Sequence, residues 1–194
     1  MSSTRQRQAQ LRAEQEQKKK QQQYLLIGGG IAAAAIILVG VFFLLNPQPQ
    51  TPTSTGSFPC GNLQVLEDEG RGHLKPGEPI PNYKSNPPTS GTHNETWYPA
   101  GVYDNNVDVT QLIHSLEHGY VVLYYNGIPQ DQINQLVNIQ RSDSFKLIVA
   151  PYPNMPHKVA LAAWGRVQPC DGPNEAAIRS FIAQFRNQGP EQAP

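Results

Sequence analysis

Cysteine is nearly absent from this chain: of 194 residues only Cys60 and Cys170 carry a thiol. They form no CxxC pair and have no nearby basic cluster to activate a thiolate, so a redox centre lacks its usual signature. Neither Ser90, within Thr-Ser-Gly, nor Ser115, between His and Leu, sits in a G-x-S-x-G elbow, which leaves serine hydrolysis without support. No glycine-rich loop is placed to cradle a phosphate, because Gly28-Gly29-Gly30 lies inside an apolar run. There is no internal repeat. Net charge is zero too, but that balance conceals an asymmetry. Residues 1 to 23 hold six Lys or Arg and two Glu, a head of +4, while the chain after Leu45 holds nine Lys or Arg and thirteen acids, a body of −4. An acidic body argues against nucleic acid as a partner.

What lies between head and body is one long hydrophobic run. Residues 24 to 45, YLLIGGGIAAAAIILVGVFFLL, carry no charged or strongly polar side chain. At about 1.5 Å per residue such a helix crosses a hydrocarbon core about 30 Å thick. A signal peptide would have an apolar region of about 7 to 15 residues ending at a small-residue cleavage site. This run is longer and is followed by Asn46-Pro47, so it reads as an uncleaved single-pass anchor. Arg5, Arg7, Arg12, Lys18, Lys19 and Lys20 precede it and hold the N-terminus in the cytoplasm by the positive-inside rule. The expected localisation is therefore the cell membrane, with the C-terminal body outside the cytoplasm. Residues 46 to 57, NPQPQTPTSTGS, have no charge and no large apolar side chain and read as an extended linker.

The folded domain is expected over residues 58 to 190. Two cysteines near its ends, on the oxidising side of a membrane, are most economically one disulfide, Cys60 with Cys170. Within the domain, DVTQLIHSLEHG reads as a short helix with Asp108 as N-cap, Leu112 and Leu116 four apart, and Gly119 as its stop. YVVLYY follows as a buried strand, then a helix from about Asp131 to Gln140 with Ile133, Leu136, Val137 and Gln140 on one face. FKLIVA and VALAAW are strands flanking the loop PYPNMPHK. The last helix, PNEAAIRSFIAQFRNQG, is capped by Asn174 and buries Ile178, Phe181, Ile182 and Phe185. The order helix, strand, helix, strand, strand, helix predicts an α+β domain with helices packed on a small mixed sheet. Residues 60 to 106 are rich in Gly, Pro and Asn and show little periodicity. So long a loop is usually functional or pinned. Tyr83, Trp97, Tyr98 and Tyr103 within it read more readily as the core that pins it than as a ligand floor.

The strings PPTSGTH (87 to 93), GVY (101 to 103), HSLEHG (114 to 119), APYPNMP and AAWGR resemble the bacterial and archaeal family called domain of unknown function 3105 over roughly residues 58 to 190. The resemblance implies an exported, often membrane-anchored domain and no particular activity. The chemistry must come from the residues.

His114 and His118 are four apart, so on a helix both rings leave one face one turn apart, a spacing that a single metal ion can bridge. The competing reading is two histidines capping the negative end of the helix. Further ligands are then needed. His93 in the PPTSG loop and Met155 in PNMPH are the candidates, with His73 as a further one; His157 reads as surface. Imidazole with thioether suits copper, especially Cu(I), and histidine with carboxylate suits zinc; copper is favoured over zinc, for metal handling or assembly of a partner. Glu117 would then orient a ligand histidine from behind. A rival enzyme reading takes H-x-x-E-H as a zinc hydrolase motif, with Glu117 as the base and Glu175 as the distant ligand. The short helix and small domain weigh against it, and the balance leans away from an enzyme with the hydrolase kept as an alternative. A third reading is a metal-free module that binds a protein or an envelope ligand, and the partner in either case is expected to be an envelope or membrane protein.

Overall fold

Strands that are apolar along their whole length require cover on both faces of a sheet. Val121–Tyr125 and Val159–Ala163 are buried at every position, and Leu147–Pro151 at all but the last. The structure, a computed structural model, describes residues 57–105 and 107–191. The basic head, the apolar segment 24–45 and the linker to residue 56 lie outside the described residues, and with them the membrane anchor read from the sequence. No helix among the described residues is long and apolar enough to cross a membrane.

In chain order the elements are β1 (Gln64–Val65), β2 (Gly101–Val102), α1 (Val109–Glu117), β3 (Val121–Tyr125), α2 (Gln130–Ser142), β4 (Leu147–Pro151), β5 (Val159–Ala163), β6 (Arg166–Cys170) and α3 (Glu175–Phe185). The sheet order is β1-β6-β5-β3-β4-β2. β3 and β2 run parallel to β4, and β5 and β1 run antiparallel to their neighbours, so the sheet is mixed as expected. Residue alternation sends Leu123, Val149 and Leu161 to one face, where Leu136, Ile139, Ile178, Phe181 and Ile182 of α2 and α3 cover them. Val122, Tyr124, Ile148, Ala160 and Ala162 point to the other face, against Leu112 and Leu116 of α1 and Tyr98 and Tyr103 of the loop. Those two tyrosines pack against the core, partly buried, whereas Trp97, read as core with them, is 46% exposed.

Both expected N-caps are present: Asp108 accepts from the Thr110 N–H at 2.9 Å and Asn174 from the Ala177 N–H at 3.0 Å. Cys60 and Cys170 are disulfide-bonded, closing 110 residues of chain. β6 was hidden in the sequence by Pro169, a residue that usually argues against a paired strand. Here the Pro169 carbonyl turns away from β5 and accepts from the Gly61 N–H at 2.8 Å, so the missing proline N–H removes no bond to β5. The strand expected from Phe145 begins only at Leu147, because Lys146 takes a positive φ of 44°. The last helix stops at Phe185 rather than Gly189, and residues 186 to 191 fold back across the end of α1.

Candidate metal centre

Packing of Leu112 and Leu116 against the sheet fixes the roll of α1, and its C-terminal turn is buried with it. His114, Glu117 and His118 are 4%, 3% and 4% exposed. The cationic cap of this helix end is Lys146, whose Nζ donates to the His118 carbonyl at 3.1 Å, so the histidine rings are left to other work.

The long loop reaches these rings through a short parallel ladder. The Gly91 N–H donates to the Gly70 carbonyl (3.0 Å), His93 N–H to Gly72 (2.8 Å) and Leu74 N–H to His93 (2.7 Å). That pairing sets His73 beside His93, with ring centroids 5.2 Å apart. Gly91 is required twice over: its φ is +113°, and a Cβ there would lie 2.9 Å from Tyr83 Cε1. The Tyr83 hydroxyl in turn donates to the Thr92 carbonyl at 2.7 Å. Pro87, Pro88, Thr89 and Ser90 are buried beneath the ladder. The Ser115 hydroxyl bonds both Tyr98 backbone groups (3.1 and 2.9 Å), holding the segment that follows His93 against α1. Ser115 is a fastening, not a nucleophile.

The result is a cluster of four donors. His73, His93, His114 and Glu117 each offer an atom, and these atoms lie within 4.8 Å of one another. His93 Nε2 is 3.0 Å from Glu117 Oε2, yet neither atom makes a hydrogen bond of acceptable geometry and both are buried. Two lone-pair-bearing atoms aimed near each other without bonding is the arrangement a bound cation would complete. The ring tautomers follow from their partners. His93 Nδ1 faces the Gly91 carbonyl (2.7 Å) and His114 Nδ1 the Asn94 carbonyl (2.8 Å). A carbonyl only accepts, so each Nδ1 carries the hydrogen and each Nε2 presents a lone pair. Carbonyl anchoring of the far ring nitrogen is the usual support of a metal-bound histidine.

Electrostatics agree with this. Burial pushes His93 down to about 4 and also lowers His114 and His118, so all three are neutral, the ligating form, at pH 7. Burial raises Glu117, and the Glu191 carboxylate adds to that. A buried acid held above its ordinary range is relieved by a divalent ion.

Of the residues singled out in the sequence, the structure brings together His73, His93 and His114. Glu117 stands among the donors rather than behind one. His118 joins a second group with His114 and Glu191. Met155 is not brought to them: it packs with Tyr124 and Ala160 in the apolar core, in the loop joining β4 to β5, and its carbonyl takes a bond from Asn126 just past β3. Trp164, beyond the far end of β5, is the tryptophan beside His93. The cluster and Met155 therefore sit at opposite ends of the sheet, because a loop entering β5 cannot also lie beside its exit. His157 shares the Met155 loop. Glu175 pairs with Arg179 on α3, the helix packed on the other face. Among the described residues, the wall of an open cleft of about 390 Å³ near Tyr125 and Tyr152 has one carboxylate, Asp104, and no histidine. Glu191 and Trp97 were missed as site residues. The Trp97 ring is 4.7 Å from His118, but no periodicity or spacing ties residue 191 or 97 to a helix elsewhere in the chain.

Fold and cluster together define a disulfide-closed α+β domain with an imidazole and carboxylate group, buried except for His73, of a kind that could hold a metal ion. The family model "Protein of unknown function (DUF3105)" matches residues 73–194, and the chain belongs to that family. No curated protein and no solved structure matches it.

Proposed function

We propose that this protein is a membrane-anchored metal-binding domain, displayed outside the cytoplasm, that holds one divalent ion on His73, His93, His114 and Glu117. The observation that carries the reading is the convergence of four donors from three separate segments, with His93 Nε2 and Glu117 Oε2 buried and lacking hydrogen bonds. Chance burial of two such atoms would cost about 1 to 3 kcal/mol each, so their persistence needs a reason.

The donor set also bears on the ion. Copper was favoured over zinc while a thioether was in the set; with Met155 in the apolar core, three imidazoles and a carboxylate suit zinc or Cu(II) better than Cu(I). Four protein donors fill a tetrahedron, whereas hydrolytic zinc keeps a position open for water. That favours holding and handing on an ion over catalysis, with an envelope or membrane protein as donor or recipient. The anchor over residues 24 to 45 and the basic residues before it support the placement.

The test is elemental analysis of the full-length chain, purified without chelator or affinity histidines and challenged separately with Zn(II), Cu(II) and Cu(I). The expected result is one tightly held divalent ion, lost in the His93→Ala/His114→Ala double variant with the fold retained. No ion above background in any of the three conditions would overturn the reading.

A further inference from the structure

His118 and Glu191 are not used by the four-donor group, yet they stand beside it. His118 Nε2 is 3.0 Å from His114 Nε2 and 3.7 Å from Glu191 Oε1, and one donor atom from each of the three residues lies within 4.8 Å of the others. Glu191 is held there by its backbone. The Asn187 N–H donates to the Gly119 carbonyl (2.7 Å) and the Glu191 N–H to the carbonyl of Glu117 (3.1 Å). Between them Gly189 passes so close to Glu117 that a Cβ would collide with its carbonyl. The segment after α3 is thus fitted to the end of α1.

The two groups differ in three ways. Exposure is the first: each group has one exposed donor, His73 in the inner and Glu191, 56% exposed, in the outer, but the inner sets three buried donors against it and the outer two. The second is ligand number, three donors against four, and three leave a position open for an arriving or departing ligand. The third is the support behind the rings. His93 and His114 have carbonyls on Nδ1, but His118 Nδ1 is buried with no partner. For His118 Nε2 to bind an ion, the ring hydrogen must sit on Nδ1, where no acceptor meets it, and this keeps the position weak. The groups also share His114. Its Nδ1 is committed to Asn94, so only Nε2 can bind, and one lone pair serves one ion at a time.

We infer that His114, His118 and Glu191 form an outer ion position that receives the ion and passes it to the inner four donors by ligand exchange, with His114 bound throughout. This rests on the metal-binding reading above. In the exchange the bonds to Glu191 and His118 break as bonds to His93, Glu117 and His73 form. No electron moves, and His118 leaves as a neutral imidazole with its hydrogen still on Nδ1, since the His114 lone pair stays on the ion. The sharing of His114 makes the two positions successive stations of one ion, not a two-ion centre.

The experiment uses the full-length chain and Co(II), whose visible bands report coordination, mixed in a stopped-flow instrument. Glu191→Gln keeps the size of an exposed side chain, and His118→Ala removes the second outer donor. Both are expected to slow uptake and release by at least about tenfold, equivalent to about 1.4 kcal/mol in the barrier. The final spectrum, one equivalent of Co(II) and an affinity within about threefold of the unaltered chain should remain, since only an intermediate has been removed. In a Trp164→Phe background, Trp97 fluorescence should change before the final bands develop, because Trp97 lies on the outer rings. Unchanged rates in both variants overturn the proposal. So does a final affinity lost in His118→Ala, which makes His118 a resident ligand, or two equivalents of Co(II) per chain. Failure of the underlying reading looks different: the unaltered chain then binds no ion at all.

Discussion

The side of the sheet under α2 and α3 buries Leu136, Ile139, Ile178, Phe181 and Ile182, and among the described residues Gln140 is the one buried polar side chain of those helices. The side under α1 and the long loop buries Thr89, Ser90, His93, Thr110, His114, Ser115, Glu117 and His118. Both sides solve the same problem, covering an apolar sheet, and the first does it with the cheaper material. Buried polar groups cost free energy unless bonded, so a layer that concentrates them is specialised for something besides folding. Several of them are fully occupied: Ser115 ties down the loop and Thr110 bonds Asp108. What remains unbonded is confined mostly to this layer and centred on the histidine cluster.

The contrast can be broken first at the apolar side. Removing the disulfide by Cys60→Ser with Cys170→Ser should cost about 4 to 5 kcal/mol for a closed loop of 110 residues, read by urea unfolding. Leu136→Ala, at a fully buried site, should cost about 3 kcal/mol and leave the stoichiometry and affinity of ion binding unchanged. An equal loss of affinity in Leu136→Ala would show that the two sides are not separable. Gly91→Ala acts on the polar side. It should cost about 1 to 3 kcal/mol from the positive φ, and weaken ion binding beyond that by moving His93; titration of the folded variant with Zn(II) reads the second effect.

The sharpest test of the cluster is its pH dependence. His93 is held near 4 when folded against an ordinary 6.5, so between those values the unfolded chain takes up a proton that the folded one refuses. The metal-free protein should therefore lose stability as pH falls from about 6.5 toward 4, with His114 and His118 adding in the same direction. Glu117 has the opposite sign. Its raised value means the folded state keeps a proton that the unfolded state has lost, so its contribution declines as pH rises above the ordinary 4.5. Zn(II) at pH 7 should raise the unfolding free energy by about 2.7 kcal/mol at a hundredfold excess over Kd, read as a higher unfolding midpoint. A pH profile flat between 4 and 6.5 in the metal-free protein would contradict the buried neutral histidines.

Much of the fold was legible because its helices and central strands are written in local patterns. Asp108 and Asn174 mark helix starts, the 112 and 116 spacing marks a buried stripe, and VVLYY marks a covered strand. The two-residue strands β1 and β2 have no room for a pattern, and β6 carries a proline that only its register excuses. The site was legible in the same proportion. The local helix HSLEH showed its two histidines, while the placing of Glu117 among the donors depended on which side of α1 the loop covers.

By itself the sequence determined the helix that carries His114, Glu117 and His118, the disulfide partners, and the charge and hydropathy from which an anchor is read. Those follow from neighbours along the chain, from composition and from the scarcity of cysteine. Tertiary structure alone decided which donors meet. His73 and His93 are paired by backbone bonds between distant segments, Met155 is carried to the opposite end of the sheet by the direction of β5, and Glu191 arrives on a tail that stops being helix at Phe185. Each of these outcomes depends on contacts between residues far apart in the chain, and such contacts leave no period to read.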